Sequence, residues 1–371
     1  MYRIVGVMLV ALVSHGAAFS SGIGMGRAVN NPVNLVNLNM MAAPGKKEVL
    51  IVGGTRFSGL YLWEELHKRG HSVTLFNRGK TALKKLPGES DSQFEQRKRD
   101  TTFIQGDRKD IADMKAKLGR HIFDVVYDMG GRESADTEPL VDLFGREVEH
   151  FIYMSSAGVY KKSLSMPHME VDAVDPKSRH KGKLETEAML RARGVPFTSI
   201  RPTYIYGPGN YNPLEEWYFT RLDAGKTVCI PGHGDHLTGL GHVRDLAVAM
   251  AQIIGRPHCK GKIYNVQDAK SVSFSGLAKL CGEAMGMTPD DVKIKLYNKK
   301  DYDFGEKKAF PMREQHFFCG IEEAMQDLDW EPKFDMARGL KDSYENDFKS
   351  KKASGKLKID FTTDDMILGS R

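Results

Sequence analysis

From Glu48 onward, short apolar runs alternate with stretches whose apolar residues recur at helical spacing. Seven runs read as strands: Val49–Val52, Ser72–Phe76, Phe103–Gln105, Val125–Tyr127, Phe151–Met154, Thr198–Ile200 and Ile263–Val266. Between the first two, Leu60, Leu62, Trp63 and Leu66 recur near the helical period, and Arg69-Gly70 supplies a stop. Repeated β-α units of this kind predict an α/β protein with a mostly parallel sheet covered on both faces, a Rossmann-like doubly wound arrangement. Past Gly207 the pattern turns irregular, with helices such as Phe274–Met285 and Glu322–Leu328 set among loops. The expected organisation is a nucleotide-binding domain over 46–206, completed by about 240–268. A smaller interleaved C-terminal lobe would take 207–239 and 269–348. Residues 349–371 form a basic tail, in which Lys349 to Lys358 carries five lysines and reads as solvated, partly mobile surface.

The first 45 residues carry an address rather than a fold. Arg3, the apolar run Ile4 to Val13 and the small residues Gly16-Ala17-Ala18 read as a signal peptide over 1–18. The run is too short to span a bilayer, which takes about 20 residues. Phe19 to Pro44 has no acidic residue and a single arginine, Arg27, so 19–45 reads as transit-like. Together the two segments predict a plastid reached through the secretory route, as in algae with secondary plastids. No other segment is long and apolar enough to cross a membrane, and no membrane partner is expected.

Composition narrows the picture further. The 371 residues are 41% hydrophobic and 27% charged, enough apolar content for a packed core. Cys229, Cys259, Cys281 and Cys319 lie far apart with no C-x-x-C pair, which argues against a disulfide scaffold or a zinc module. The formal charge of +6 falls to +4 when Arg3 and Arg27 leave with the presequence, since no acid leaves with them. Diffuse excess charge of that size identifies no partner.

Candidate chemistry begins at the first strand, which runs into Gly53-Gly54-Thr55-Arg56-Phe57-Ser58-Gly59 and then a helix. Glycines there allow a tight turn and close backbone approach, and the helix start offers amides to a pyrophosphate. Gly53, Gly54, Thr55, Arg56, Phe57 and Gly59 are thus candidate dinucleotide contacts, with Arg56 where a middle glycine would stand. At the end of the second strand an NAD-binding unit would place Asp or Glu; here stand Asn77 and Arg78, which favour the 2′-phosphate of NADP. Asp107 and Arg108 follow the third strand, at the expected adenine side.

The fifth strand leads into Ser155-Ser156-Ala157-Gly158-Val159-Tyr160. Lys183, Arg201-Pro202, Tyr206-Gly207-Pro208 and His242-Val243-Arg244-Asp245-Leu246-Ala247 follow. In combination these resemble the extended short-chain dehydrogenase/reductase superfamily, home of nucleotide-sugar epimerases and dehydratases. The resemblance implies that Ser156 orients substrate and that Lys183 lowers the pKa of a proton-moving tyrosine. That tyrosine is missing: four residues before Lys183 stands Arg179. Arginine stays protonated and cannot serve as a general acid/base, and neither Tyr160 nor His180 replaces it simply. Lys177, Arg179, His180, Lys181 and Lys183 instead crowd seven residues. If this stretch opens a helix, Arg179 and Lys183 share a face, and an anion such as phosphate would relieve their repulsion.

Longer runs narrow the resemblance. Gly53–Phe57, Asp124-Val125-Val126-Tyr127-Asp128, Ser155–Tyr160, Val174–Glu187, Tyr204–Pro208, Asn210-Tyr211-Asn212-Pro213, Lys308-Ala309-Phe310-Pro311, Gln315-His316-Phe317-Phe318 and Asp360–Leu368 resemble the chloroplast stem-loop RNA-binding proteins, most closely the b-type. The likeness covers roughly 47–368. It implies a plastid RNA-binding protein tied to transcript stabilisation, ribosomes and transcription complexes, homo- or hetero-oligomeric, with divalent-metal-dependent cleavage of stem-loop RNA.

Support from the residues themselves is thinner. Arg97-Lys98-Arg99, Arg108-Lys109, Lys299-Lys300, Lys307-Lys308 and the lysine tail could meet phosphates, and Trp217, Tyr218, Phe317 and Phe318 could stack on bases or fill a core. Magnesium, if used in cleavage, would need carboxylates such as Asp107, Asp110, Asp124 and Asp128 near the strand ends, though helix caps and loop acids are the commoner use of such residues. Two other readings stay open: an NADP-dependent epimerase, dehydratase or reductase with an unconventional acid/base, and a dinucleotide-sensing oligomeric scaffold.

Overall fold

The computed structural model of the protein describes residues 45–369. The expected leader segments lie, but for residue 45, outside the described residues. Seven parallel strands form one sheet: β1 (Glu48–Val52), β2 (Ser72–Asn77), β3 (Thr101–Gln105), β4 (Val125–Asp128), β5 (His150–Met154), β6 (Phe197–Pro202) and β7 (Lys262–Val266). Their order across the sheet is β7-β6-β5-β4-β1-β2-β3. All seven expected strands are present, each lengthened by one to three residues.

The sheet is apolar on both faces because alternate residues of each strand face opposite ways. Val49 and Ile51 pack with Leu60, Trp63, Leu75, Tyr127 and Met250 on one face. That layer contains α1 (Ser58–Lys68) and a later helix, Val243–Gln252. Leu50 and Val52 pack with Phe76, Met114, Leu140, Phe151 and Leu190 on the other. The helices covering that face, α3 (Ile111–Leu118), α4 (Ser134–Phe144) and α5 (Lys181–Ala192), follow β3, β4 and β5, and α2 (Asp91–Arg99) precedes β3. The order reverses between β1 and β4, the place where sheets of this type take ligands at their carboxyl ends.

The smaller lobe has its own core, from Tyr206 and Leu214 to Leu340 and Phe348. It contains α6 (Leu214–Asp223), α8 (Phe274–Ala284) and α10 (Met336–Ser343), whereas α7 (Val243–Gln252) and α9 (Glu322–Leu328) pack into the core of the main sheet. Two-stranded pairs stitch the lobe together, such as Val228–Pro231 with Ile294–Tyr297.

The tail is folded, with Lys349, Lys352, Lys356 and Lys358 exposed to solvent. Lys349–Ala353 forms α11 and Thr362–Leu368 forms α12. Lys351 pairs with Glu216 and Asp347, Lys352 with Asp223, and Lys349 with Glu345. Asp364 makes a buried ion pair with Arg221, and Ile367 is buried beside Cys229 and Tyr297. Glu345 and Asp347 lie one helical turn away, whereas Glu216, Asp223 and Arg221 are distant in sequence and hold the tail against the smaller lobe; composition alone could not show them.

Candidate functional site

The glycine-rich turn after β1 is built for close approach. Gly53 sits at φ +90°, in the region that favours glycine. A Cβ on Gly59 would lie 2.6 Å from the Gly54 Cα, so the start of α1 can press on the turn only without side chains at these positions. Phe57 occupies the N-cap of α1 and no side chain caps the helix. The amides of Gly59 and Leu60 turn back onto the carbonyls of Arg56 and Phe57, so the donors left for an anionic group are those of Ser58 and of the turn itself. Arg56, in the middle-glycine position, lays its guanidinium over the ring of Tyr211 at 4.3 Å, and Phe57 meets the same ring edge-on. A dinucleotide pyrophosphate therefore fits this turn. Arg78 is exposed beyond β2, while the Asn77 side chain accepts from the Gly79 amide.

Arg108 has another role than the expected adenine contact. Its Nη1 and Nη2 donate to the two carboxylate oxygens of Asp128 at 2.7 and 2.8 Å, and Nη2 also donates to the Asp136 carbonyl. Asp128 is fully buried at the end of β4 and also accepts from Thr137 and from the amides of Gly130 and Gly131. Burial alone would raise its pKa, but Arg108 and these donors override it and hold the carboxyl near about 2. Asp107 accepts from the Lys109 amide, Asp110 caps α3 and Asp124 accepts from the Glu48 amide. The four candidate carboxylates thus serve the fold, and no group of three potential metal ligands gathers among the described residues.

The triad remnants lie where the resemblance placed them, at the carboxyl end of β5 and in α5. Ser156 Oγ accepts from the Gly158 amide, which leaves its own proton free to be donated. Lys183 Nζ donates to the carbonyls of Gly131 and Met154, both at 2.6 Å, 4.9 Å from the Tyr153 ring centre. Burial draws its pKa down to about 8, with Asp128 pulling the other way. No tyrosine takes the missing position. Tyr160 donates to Asn265 and Tyr153 to the Gly131 carbonyl, and burial raises the pKa of both.

Arg179 is not on the α5 face expected for it. The helix begins at Lys181 with His180 as its N-cap, so Arg179 stands in the preceding turn. Its Nε donates to His180 Nε2 at 3.1 Å, while Lys183 is held inward by its two carbonyls. His180 is therefore neutral at that nitrogen; burial first, then Arg179 and Arg313, push its pKa down to about 4. Lys177 and Lys181 are exposed at the surface of the same turn. The five-residue basic cluster thus splits into one inward lysine and an outward group.

The outward group gains members that the basic runs did not join to it. Arg313 Nη2 donates to the Gly158 carbonyl at 3.3 Å, and Ser178 Oγ donates to the same oxygen at 2.9 Å. Arg313 is absent from the paired basic runs, yet it lies between two segments that carry the family likeness, which is the signal that could have flagged it. Of the other expected phosphate contacts, Arg97 is buried, paired with Glu89 and stacked on Trp63 at 3.8 Å. Tyr218 and Phe317 are core residues, whereas Trp217 and Phe318 are half-buried.

Residues 49–266 match the NAD dependent epimerase/dehydratase family. The chain is 48% identical over 358 residues to the chloroplast stem-loop binding protein of 41 kDa b of Arabidopsis thaliana, covering 96% of this chain and 93% of that protein. It is 24% identical over 256 residues to isoflavone reductase homolog P3 of the same plant, covering 66% of this chain and 76% of the relative. Among solved structures, UDP-glucose 4-epimerase of Thermotoga maritima with UDP-glucose superposes with a TM-score of 0.63 at 21% identity, over 81% of this chain and 98% of that one. The dTDP-glucose 4,6-dehydratase of Bacillus anthracis in complex with NAD gives 0.65 at 16% identity, over 82% and 97%. These two likenesses establish the fold. The long match over nearly the whole chain establishes the branch: the chain belongs to the chloroplast stem-loop binding proteins of the b-type, within the NAD dependent epimerase/dehydratase family.

Proposed function

We propose that the protein binds stem-loop RNA in a plastid, on a dehydrogenase scaffold that no longer moves protons for redox chemistry. The observation that carries this reading is the absence of a proton-moving tyrosine four residues before Lys183, where the chain has Arg179, in a turn whose outward cations include Lys177 and Lys181. The relative's name supplies the RNA and the plastid. Ser156 and Lys183 remain as binding groups: one hydroxyl proton free to donate, and one ammonium at the carboxyl end of the sheet.

A nicotinamide dinucleotide is a plausible ligand of the glycine-rich turn, held by the amides of the turn and of Ser58 at the start of α1, with Arg78 favouring NADP. When bound it would supply a hydride acceptor or donor, but no residue in place of Arg179 completes the proton transfer. Ribosomes, transcription complexes and a second or related copy of the chain are the proposed assemblies. Binding is the main activity we propose, with weak magnesium-dependent cleavage of stem-loop RNA as a second one.

The mature chain tests this directly. Stem-loop RNA should bind with an affinity that falls steeply with salt, with and without NADP, and any slow cleavage of it should need magnesium and stop in chelator. Affinity no greater than that of a basic control protein would overturn the reading.

A further inference from the structure

Arg179 and Arg313, from two distant parts of the chain, meet around Gly158 and His180, and Lys308 lies five residues before Arg313 in the same connection. Arg179 belongs to the turn before α5, whereas Lys308 and Arg313 come from the connection that precedes α9. A Cβ placed on Gly158 would lie 2.6 Å from His180 Cδ2 and 3.0 Å from Arg313 Nη2, so the two side chains flank the same glycine. Lys308 Nζ donates to the Pro311 carbonyl. Burial and then Arg179 depress the pKa of Lys308, and Arg179 acts in the same sense on Arg313.

Neighbouring cations are neutralised: Lys307 pairs with Asp360, Lys226 with Asp365 and Arg221 with Asp364. Among the described residues, Arg179, Lys308 and Arg313 form no ion pair. Like charges held together without a counter-charge repel one another, and the arrangement becomes favourable when an anion lies among them. It is also held in place. Arg313 stacks over the Phe317 ring at 4.8 Å, its amide donates to Tyr204 Oη, and its guanidinium grips the Gly158 carbonyl. A guanidinium fixed in this way presents its remaining donors to phosphate oxygens at little cost in side-chain entropy.

Charge continues past the two arginines. Lys308 also lines a cavity of about 350 Å³ that carries Glu216 and Asp360 beside its cations; Lys307 is paired with Asp360 and Arg221 with Asp364, which leaves Lys358 to extend the charge. A single small anion would satisfy the cluster but not this extension. A chain of phosphodiesters meets both.

We propose that Arg179 and Arg313 form a phosphate clamp across the two lobes, with Lys308 and Lys358 continuing its charge, and that its ligand is the sugar-phosphate backbone of RNA. The clamp rests on the RNA-binding reading and adds the place where RNA lies. Its test is the salt dependence of stem-loop RNA binding by the mature full-length chain. R179Q and R313Q should each lower the slope of log affinity against log salt by roughly 0.7 to 0.9, about equally for every RNA sequence. R313K should keep the slope and lose only part of the affinity. K85Q, which removes an exposed lysine paired with Asp91, should leave the slope alone.

Arg179 is exposed in a turn, so R179Q decides the matter even if R313Q folds poorly. Wild-type slopes in R179Q would overturn the clamp and leave the RNA reading standing. No RNA binding by the wild type would instead remove the reading on which it rests. Pyrophosphate binding that R179Q abolishes, without any change in RNA binding, would also overturn the clamp.

Discussion

Arg108 and Arg313 both reach the carboxyl end of the sheet, and they differ in what they meet there. Arg108 finds a fully buried carboxylate that accepts its two guanidinium nitrogens. Arg313 finds a backbone carbonyl, an aromatic ring and another cation, Arg179. A buried cation with its own carboxylate is committed to the fold, because separating the pair strands a charge in a poor solvent. A cation fixed by neutral groups keeps its charge for a ligand. The same rule divides the other basic residues: Arg97, Arg201 and Arg221 have buried carboxylates in Glu89, Glu187 and Asp364. Charge count therefore says little about this protein, and pairing says much.

The sharpest break in that comparison is Asp128→Ala. It leaves the Arg108 guanidinium buried without a partner and strips an acceptor from Thr137, Gly130 and Gly131, so a loss of about 3–5 kcal/mol is expected in denaturant unfolding. R179Q should lose none of this stability, since it relieves repulsion. Similar losses in the two variants would erase the distinction. The acid limb of wild-type stability should show the same pair: a carboxyl held near about 2 contributes stability above its unfolded pKa. That contribution is lost as pH falls from about 4 through 2.

A smaller effect separates Lys183 from the outward cations. Its folded pKa, drawn down to about 8, lies below the ordinary lysine value of 10.5. Between these values the unfolded chain binds a proton that the folded one does not, so Lys183 makes stability rise with pH across that window. Comparing wild type with K183M at pH 7.5 and 10 isolates this term from other alkaline titrations. The difference should shift in favour of the wild type by on the order of 1 kcal/mol. A difference that stays constant with pH would place the ammonium in solvent rather than against the carbonyls of Gly131 and Met154.

Much of the fold was legible because it depends on local pattern. All seven strands of the main sheet stood out as apolar runs, and Glu322–Leu328 forms a helix with the expected bounds. The glycine-rich turn was legible too, since its spacing reflects contacts within a single β-α unit. What failed depended on partners distant in sequence. Arg108 looked free until Asp128, 20 residues on, was brought against it, and the lysine tail looked unanchored until α6 supplied Glu216 and Asp223. Arg179 was misplaced by a single turn, because the helix starts at Lys181 rather than before it. Arg313 could not be joined to it from sequence, as 134 positions separate them and only the packing of the smaller lobe brings both to Gly158 and His180.

The central claim is that the position of charge, not its total, makes this scaffold a phosphate binder. It is tested most directly by two double variants with the same loss of two positive charges. One is R179Q/R313Q. The other is K85Q/K117Q, whose lysines pair with Asp91 and Asp113 at the surface. Affinities for one stem-loop RNA are compared at a single near-physiological salt concentration. The account predicts at least a tenfold loss for the first pair and less than a twofold loss for the second. Equal losses in the two would contradict it.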